Sequence, residues 1–231
     1  MASGRIDASP HRHDLGSHEE CKVEGSENVL QIMWPSLYSP TLQLGPVHTR
    51  SLAISQAVLS DGPVDDDLIS FDFDMLIAKG PHTATEVPWH QDEAYWRLAG
   101  LDFEDLRATS CWVALDQATV DNGCMWFVPT EAIDDIIPHE PVKAGEHVLQ
   151  AMPSSLSPEY LKVAVPVELQ PGSCTFHSGR TLHRTLGNST ASRRRALITN
   201  HRPWSMVQYE RDNGFDHGRG GLEGIHPSVE S

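Results

Sequence analysis

The chain has 231 residues, with 17 Lys plus Arg against 32 Asp plus Glu and a formal net charge of -15. That length suits one domain with a substantial core. The acidic balance, with no basic run longer than Arg193, Arg194 and Arg195, excludes nucleic acid and anionic membranes as partners.

Cys21, Cys111, Cys124 and Cys174 are scattered, with no Cys-x-x-Cys pair, so neither a disulfide framework nor a thiolate zinc site is expected. No apolar signal core or membrane-length apolar run occurs, and a soluble, cytoplasmic protein is expected. The terminal PSVES is not a Ser-Lys-Leu type peroxisomal address, and other import routes stay open.

Residues 1–27 are polar and show no apolar period of 2 or 3.6, which predicts a mobile tail with His11, His13 and His18 solvated. A single domain is expected over 28–231. Between 28 and 59, Leu30, Ile32, Met33, Leu52, Ile54 and Val58 recur at helix-like spacing in two pieces broken by Pro35, Pro40 and Pro46, predicting one or two short helices. From residue 68 the texture changes. Residues 70–80 alternate Phe71, Phe73, Met75 and Ile77 against Asp72 and Asp74, as a half-buried strand does. Further strands are expected at 109–115, 124–128, 146–152, 162–169, 173–177 and 194–200, with hairpin turn signals in VDNG at 120–123 and QPGS at 170–173. Cys111, Cys124 and Cys174 read as small buried apolar residues. Many short strands with no helical period between them predict a mainly β sandwich or barrel rather than a parallel βαβ sheet.

In PWHQDEAYW, residues 88–96, His90 and Asp92 are two positions apart. A strand repeats its side-chain direction every two residues, so these two point to one side and Gln91 to the other. The pair can grip one ion, but such triplets are common and a third ligand is needed. Tyr95 and Trp96 suit the core as well as a substrate entrance. Residues 171–200 supply two candidates for the third ligand, His177 and His183. Thr185 lies two positions past His183, and Arg194 opens the next apolar run. A metal ligand, a hydroxyl and a guanidinium in this order suit a dicarboxylate that chelates the metal at one end and meets Arg at the other, since the planar fork of Arg pairs with carboxylates bidentately. Neighbouring strand residues face opposite ways, so either Arg194 or the pair Arg193 and Arg195 points inward. Arg194 is the favoured one.

PWHQDEAYW, the segment 112–129 ending in NGCMWFVP, and PGSCTFHSGRTLHRTLGNS followed by RRRA together resemble the phytanoyl-CoA dioxygenase-like family of iron(II)- and 2-oxoglutarate-dependent oxygenases. The resemblance covers about residues 68–203. It implies a double-stranded β-helix, a jelly-roll or cupin-like barrel, with a few short helices outside. It implies His90, Asp92 and His183 as the metal ligands and catalytic centre, with His177 beside them. Arg194 and Thr185 resemble the clamp on the distal carboxylate of 2-oxoglutarate, and Trp112 an aromatic lining the same pocket. The implied cofactors are iron(II), 2-oxoglutarate as co-substrate and O2. The implied reaction is hydroxylation of a small or lipid-like organic molecule, with release of succinate and CO2. Asp92 stands where related halogenases carry a small residue, which implies hydroxylation rather than halogenation.

Family members usually have a longer N-terminal region. That departure sets a competing expectation, a catalytically silent metal-binding or interaction protein. A zinc or manganese cupin-like isomerase or hydrolase is a third reading, and it gives Thr185 and Arg194 no task. Neither the substrate nor the oligomeric state is legible in the residues.

Overall fold

The computed structural model describes residues 8–15, 28–60, 68–96, 107–129, 132–133, 135–142 and 149–220. Its first element lies in the polar segment. A 3-10 turn at Ser9–His11 leads into β1 (Arg12–Asp14), which pairs antiparallel with β2 (Val29–Met33). His11 bonds Tyr38 and the carbonyl of Arg219, and the Asp14 carboxylate accepts from the backbone N–H groups of Asn28 and Val29. The expected mobile tail over 1–27 is therefore corrected at residues 8–15, where polar side chains supply the anchors that no apolar pattern signalled. His18 and Cys21 lie outside the described residues.

Leu30, Ile32 and Met33 also depart from expectation, standing in strand β2 rather than a helix. Three helices follow, α1 (Pro35–Tyr38), α2 (Pro40–Gln43) and α3 (Pro46–Val58), each begun by a proline. A first-turn N–H has no partner inside the helix, and the fixed φ of Pro suits that turn, so these prolines start helices instead of breaking them. The buried face of α3 is polar, made of His48, Ser51 and Ser55, while Ile54 and Val58 are exposed. His48 Nε2 lies 3.1 Å from Asp74 Oδ2, and the hydroxyls of Ser51 and Ser55 meet the two ring nitrogens of His201 at 3.3 and 3.1 Å.

The chain continues through β3 (Ile69–Lys79), β4 (Val87–His90), α4 (Glu93–Trp96), β5 (Thr109–Ala114) and β6 (Met125–Phe127). It then forms β7 (His139–Pro141), β8 (Leu149–Ala151), α5 (Pro158–Lys162), β9 (Val165–Val167), β10 (Cys174–Ser178), β11 (His183–Thr185), β12 (Arg194–Pro203) and α6 (Trp204–Asp212). A six-stranded sheet runs β1-β2-β3-β12-β5-β10, a four-stranded sheet runs β4-β11-β6-β9, and β7 pairs with β8. From β3 to β6, and again from β9 to β12, successive strands alternate between the two larger sheets or extend one of them, the winding of a double-stranded β-helix. Trp112, Ala114, Met125, Ala196 and Ile198 fill its core with Met75, Ile77 and Phe127.

That winding corrects both expected hairpins. β5 and β6 lie in different sheets, as do β9 and β10, so the turns at 120–123 and 170–173 carry the chain across the barrel. A turn sequence specifies a change of direction, not the strand that will become the hydrogen-bonding partner. The expected strand at 162–169 is shortened by α5, which Ser157 caps through Oγ and the backbone N–H of Glu159. Cys174 is exposed, unlike Cys111 and Cys124, so its reading as a buried residue is corrected. Among the described residues no helix is long and apolar enough to cross a membrane.

Asp72 and Asp74, on the polar face of β3, are only 3% and 0% exposed. Asp74 accepts from the backbone N–H and hydroxyl of Ser36. Asp72 meets Arg202 of β12, whose Nε donates to Asp72 Oδ2 at 2.6 Å and whose Nη1 donates to Glu210 of α6 at 2.8 Å. Arg211 and His217 join the same cluster. Burial alone would raise the Asp72 carboxyl, but Arg202, His217 and Arg211 hold it below the usual carboxylate range. Asp72, Glu210 and His217 have metal-ligand proximity, yet the guanidinium of Arg202 already supplies the countercharge among them. Replacing Arg202 with Met leaves two carboxylates buried without it, a change expected to cost about 3 to 5 kcal/mol. Thermal unfolding should then shift down by roughly 2 to 4 °C per kcal/mol. An unchanged melting curve would show that this network does not hold α6 to the sheet.

Candidate active site

Trp89 and Leu182 are buried in an apolar cluster with Val128, Ile133 and Ala151. The two-residue period of a strand turns their neighbours, His90 and His183, to the other side. β4 and β11 pair antiparallel with His90 opposite His183, and the ring centroids lie 4.2 Å apart. Asp92 follows in the turn into α4. Its Oδ1 lies 3.7 Å from His90 Nε2 and 3.6 Å from His183 Nε2. One ligand atom from each of the three residues falls within 4.8 Å of the others.

Each imidazole is fixed in one tautomer. His90 Nδ1 donates to the Pro88 carbonyl at 2.7 Å, and His183 Nδ1 donates to the Thr181 carbonyl at 2.8 Å. The lone pair of each therefore sits on Nε2, facing Asp92, as a metal ligand requires. Burial pushes both imidazoles down, His183 to about 3, so both are neutral at physiological pH. Burial would raise Asp92, but His183, His177 and His90 outweigh it and keep the carboxyl well below its usual range. The second oxygen of Asp92, Oδ2, accepts from Ser110 Oγ at 2.7 Å and lies 3.3 Å from His177 Nε2. Oδ1 is left for an ion. His177 thus touches the far side of the carboxylate rather than the point where the other ligand atoms converge. Two neutral imidazoles and one carboxylate on one side of an ion are the donor set of non-haem iron(II) centres with open positions.

The segments carrying these ligands are tied to each other. Gln91 points away from the centre and is fully buried; its Nε2 donates to the carbonyls of Asp135 and Arg180 at 2.9 and 2.6 Å, and its Oε1 accepts from Ile137 N–H. Glu93 N–H donates to the Gly179 carbonyl at 2.9 Å, and its carboxylate pairs with Arg180 at 2.9 Å. Position 179 must be glycine for this approach, since a Cβ there would lie 2.7 Å from the Trp96 ring.

Arg194, the first residue of β12, is 1% exposed and lies 5.2 Å over the Trp112 ring. Its Nη2 donates to the Gly123 carbonyl at 2.8 Å, whereas Nε and Nη1 have no hydrogen-bond partner among the described residues. Burial lowers it to about 10, which leaves it a cation at neutral pH. A buried guanidinium with unused N–H groups fits a carboxylate. Arg195 faces outward and pairs with Asp116 through two 2.8 Å bonds. Thr185 is buried, and its Oγ1 accepts from Lys79 Nζ at 3.0 Å.

Every residue singled out from the sequence, His90, Asp92, His183, Arg194, Thr185 and Trp112, thus lies in or beside the barrel interior. Sequence reading missed Lys79, Ser110, Gln91 and Gly123. Lys79 left a signal: it is the next odd position after Phe71, Phe73, Met75 and Ile77, and so shares their face. Ser110 left none, because all of β5 is buried and shows no alternation.

Comparison with known proteins agrees with this geometry. Residues 47–196 match the family model described as "Phytanoyl-CoA dioxygenase (PhyH)". A mouse protein named phytanoyl-CoA dioxygenase domain-containing protein 1 is 28% identical over 127 residues, 53% of this chain and 41% of the relative. A probable phytanoyl-CoA dioxygenase of Caenorhabditis elegans is 27% identical over 143 residues, covering 61% of this chain and 45% of the relative. This chain thus spans less than half the length of either. Among solved structures, EvdO2 from Micromonospora carbonacea var. aurantiaca, crystallised with 2-oxoglutarate, superposes with a TM-score of 0.65 and 29% identity over 79% of this chain and 71% of that one. The non-haem α-ketoglutarate-dependent epimerase SnoN, at 22% identity and a TM-score of 0.58 over 83% of this chain and 68% of its own, shares the fold. The family match extends over well more than half of the residues, and the chain belongs to the phytanoyl-CoA dioxygenase family.

Proposed function

We propose that this protein is an iron(II)- and 2-oxoglutarate-dependent oxygenase that hydroxylates a small or lipid-like organic substrate. The observation that carries this reading is Arg194, a buried cation with two donor nitrogens unused among the described residues, in the same barrel as the His90, Asp92 and His183 set. A zinc isomerase or hydrolase needs the three ligands but leaves that guanidinium without a task. Iron(II) held by His90, Asp92 and His183 would, with 2-oxoglutarate and O2, supply the oxidising power, one oxygen atom entering the substrate C–H bond and the other leaving in succinate with release of CO2.

The chain's own residues bind, orient and exclude water. His90, Asp92 and His183 would hold the metal, and the bonds that the two imidazoles donate to the Pro88 and Thr181 carbonyls, with the one that Asp92 accepts from Ser110, keep their ligand atoms aimed at it. Arg194 and Thr185 hold the distal carboxylate of the co-substrate, with Trp112 packed against Arg194. Phe127 lies 5.2 and 6.0 Å from the rings of His177 and His183, and Tyr95 sets its edge on His90 at 5.8 Å. These aromatics, with Met75 and Ile198, line an apolar interior suited to a C–H substrate. The fold also serves an epimerase and a carbocyclase of nogalamycin biosynthesis, so hydroxylation is tested at the product.

Anaerobic addition of iron(II) and then 2-oxoglutarate is expected to give about one iron per chain and the weak visible charge-transfer band of a chelated keto acid. Alanine at His90, Asp92 or His183 should remove the band, while His177→Gln keeps it. Retention in His183→Ala together with loss in His177→Ala would reverse the assignment. Under oxygen the expected product is substrate heavier by one oxygen atom with stoichiometric succinate, and chlorinated or rearranged product would refute hydroxylation.

For the co-substrate clamp, Arg194→Gln should leave iron binding intact. It should raise the half-saturating 2-oxoglutarate concentration on the order of a hundredfold or more, the equivalent of about 3 to 5 kcal/mol for a buried carboxylate without its partner. Lys at the same position should fall between, since it keeps the charge and loses the fork. Arg195→Gln, on the outer face, should behave as the parent, and the opposite ranking would mean that the pocket is elsewhere.

A further inference from the structure

Lys79 ends β3 and is 0% exposed. Its Nζ donates to the Thr85 carbonyl at 3.0 Å, to Thr185 Oγ1 at 3.0 Å and to the Leu186 carbonyl. Three acceptors match the three donors of an ammonium group, and none of them is charged. Directly across the β3–β12 register stands Arg194. Gly123 packs against both cations: its carbonyl accepts from Arg194 Nη2, and a Cβ built on it would lie 3.1 Å from Lys79 Cδ and 2.5 Å from the Leu186 carbonyl oxygen. Among the described residues, neither cation is in salt-bridge contact with a carboxylate. Two buried positive charges side by side are costly unless an anion arrives between or beside them.

We propose that Lys79 is a positioning residue of the 2-oxoglutarate site, donating into Thr185 Oγ1 so that the Thr185 hydroxyl proton is presented to the distal carboxylate, and adding a second positive charge to that of Arg194. The inference rests on the oxygenase reading above. A hydroxyl has one proton to give. With a lone pair of Thr185 already engaged by Lys79, the proton is free for the co-substrate. The contacts of Lys79 with Thr85 and Leu186 hold its ammonium in place, and they also describe a mere strut between β3 and the end of β11. A strut and a positioning residue differ in how the site takes up protons.

Burial and the neighbouring Arg194 push Lys79 down to about 7, opposed by Glu86 from the segment before β4. Among the described residues those are the charged groups that act on it from the packed elements; Thr185 on β11 does not titrate. A carboxylate entering the site raises the Lys79 value again. At pH 8 the empty site then holds mostly neutral Lys79, and co-substrate binding draws up to about one proton from the buffer. At pH 6 Lys79 is already charged and the uptake is small. Affinity for 2-oxoglutarate is accordingly full below about pH 7 and weakens above it, approaching about tenfold per pH unit until the bound-state value is reached.

The test is anaerobic calorimetry of 2-oxoglutarate binding to the iron(II)-loaded protein, in two buffers of different ionisation enthalpy at pH 6 and pH 8. The parent is expected to take up close to one proton at pH 8. Lys79→Met should abolish that uptake and weaken binding roughly ten- to hundredfold, with iron content and melting temperature near the parent's. Lys79→Arg should restore much of the affinity. Thr185→Val should weaken binding, and adding it to Lys79→Met should cost less than the sum of the two, because both act on one hydrogen bond. Parent-like binding by Lys79→Met, or no pH-dependent uptake by the parent, would make Lys79 a strut and overturn the inference while leaving the oxygenase reading intact. Should Lys79→Met fail to fold, the parent's proton uptake and the Thr185→Val affinity decide. A parent that binds iron(II) but no 2-oxoglutarate overturns both readings.

Discussion

The candidate centre depends on one register, the antiparallel pairing of β4 with β11 that sets His90 opposite His183. A slip of one residue in either strand would turn its imidazole outward and bring Trp89 or Leu182 into the centre. The apolar cluster that buries Trp89 and Leu182 opposes that slip, because either side chain would lose its packing. The bonds of Gln91 and Glu93 to the 179–180 backbone and to Arg180 oppose it a second time, from polar groups. The intervening residue of the His-x-Asp triplet is therefore as much a part of the centre as the ligands. It holds the strand end, and its neighbours are the proposed metal ligands.

Buried charge is handled in two different ways. Around Arg202 the network is closed: Asp72, Glu210 and His217 surround the guanidinium, and the group holds α6 and the segment after it against β3 and β12. Removing one member is costly because the others remain buried without it. Around Arg194 and Lys79 the arrangement is open. The donors of Lys79 are all engaged by neutral oxygens, and among the described residues two of the donor nitrogens of Arg194 are unused and no carboxylate closes the pair. The first arrangement stabilises a fold. The second is the pair of cations proposed above as part of the 2-oxoglutarate site.

Much of the site was legible from local pattern. The two-residue spacing of His90 and Asp92 and the alternation that sets Arg194 against Arg193 and Arg195 are local patterns, although Asp92 itself falls in the turn after β4; the choice of His183 over His177 and of Arg194 as the inward residue came from the resemblance to the oxygenase family. The same alternation carried Lys79 onto the face of Phe71 to Ile77, where a charge at the end of an apolar series passed unnoticed. The polar face of α3 was not legible. Leu52, Ile54 and Val58 set the apolar period, yet the side that meets the sheet is His48, Ser51 and Ser55, because Asp74, Thr199 and His201 offer them hydrogen bonds.

The sequence by itself determined which side chains share a face, where the chain turns and which residue types are present to hold a metal and a dicarboxylate. It did not determine what each face meets. Tertiary structure alone decided that the turns at 120–123 and 170–173 cross between sheets, that Arg12–Asp14 find β2, and that Asp72 and Asp74 are buried under helices. It also decided that Ser110 and His177 both hold the far oxygen of Asp92. The reason is physical: periodicity is set by the geometry of one strand or helix, whereas the partner of a face is chosen by packing and hydrogen bonding between segments far apart in the chain.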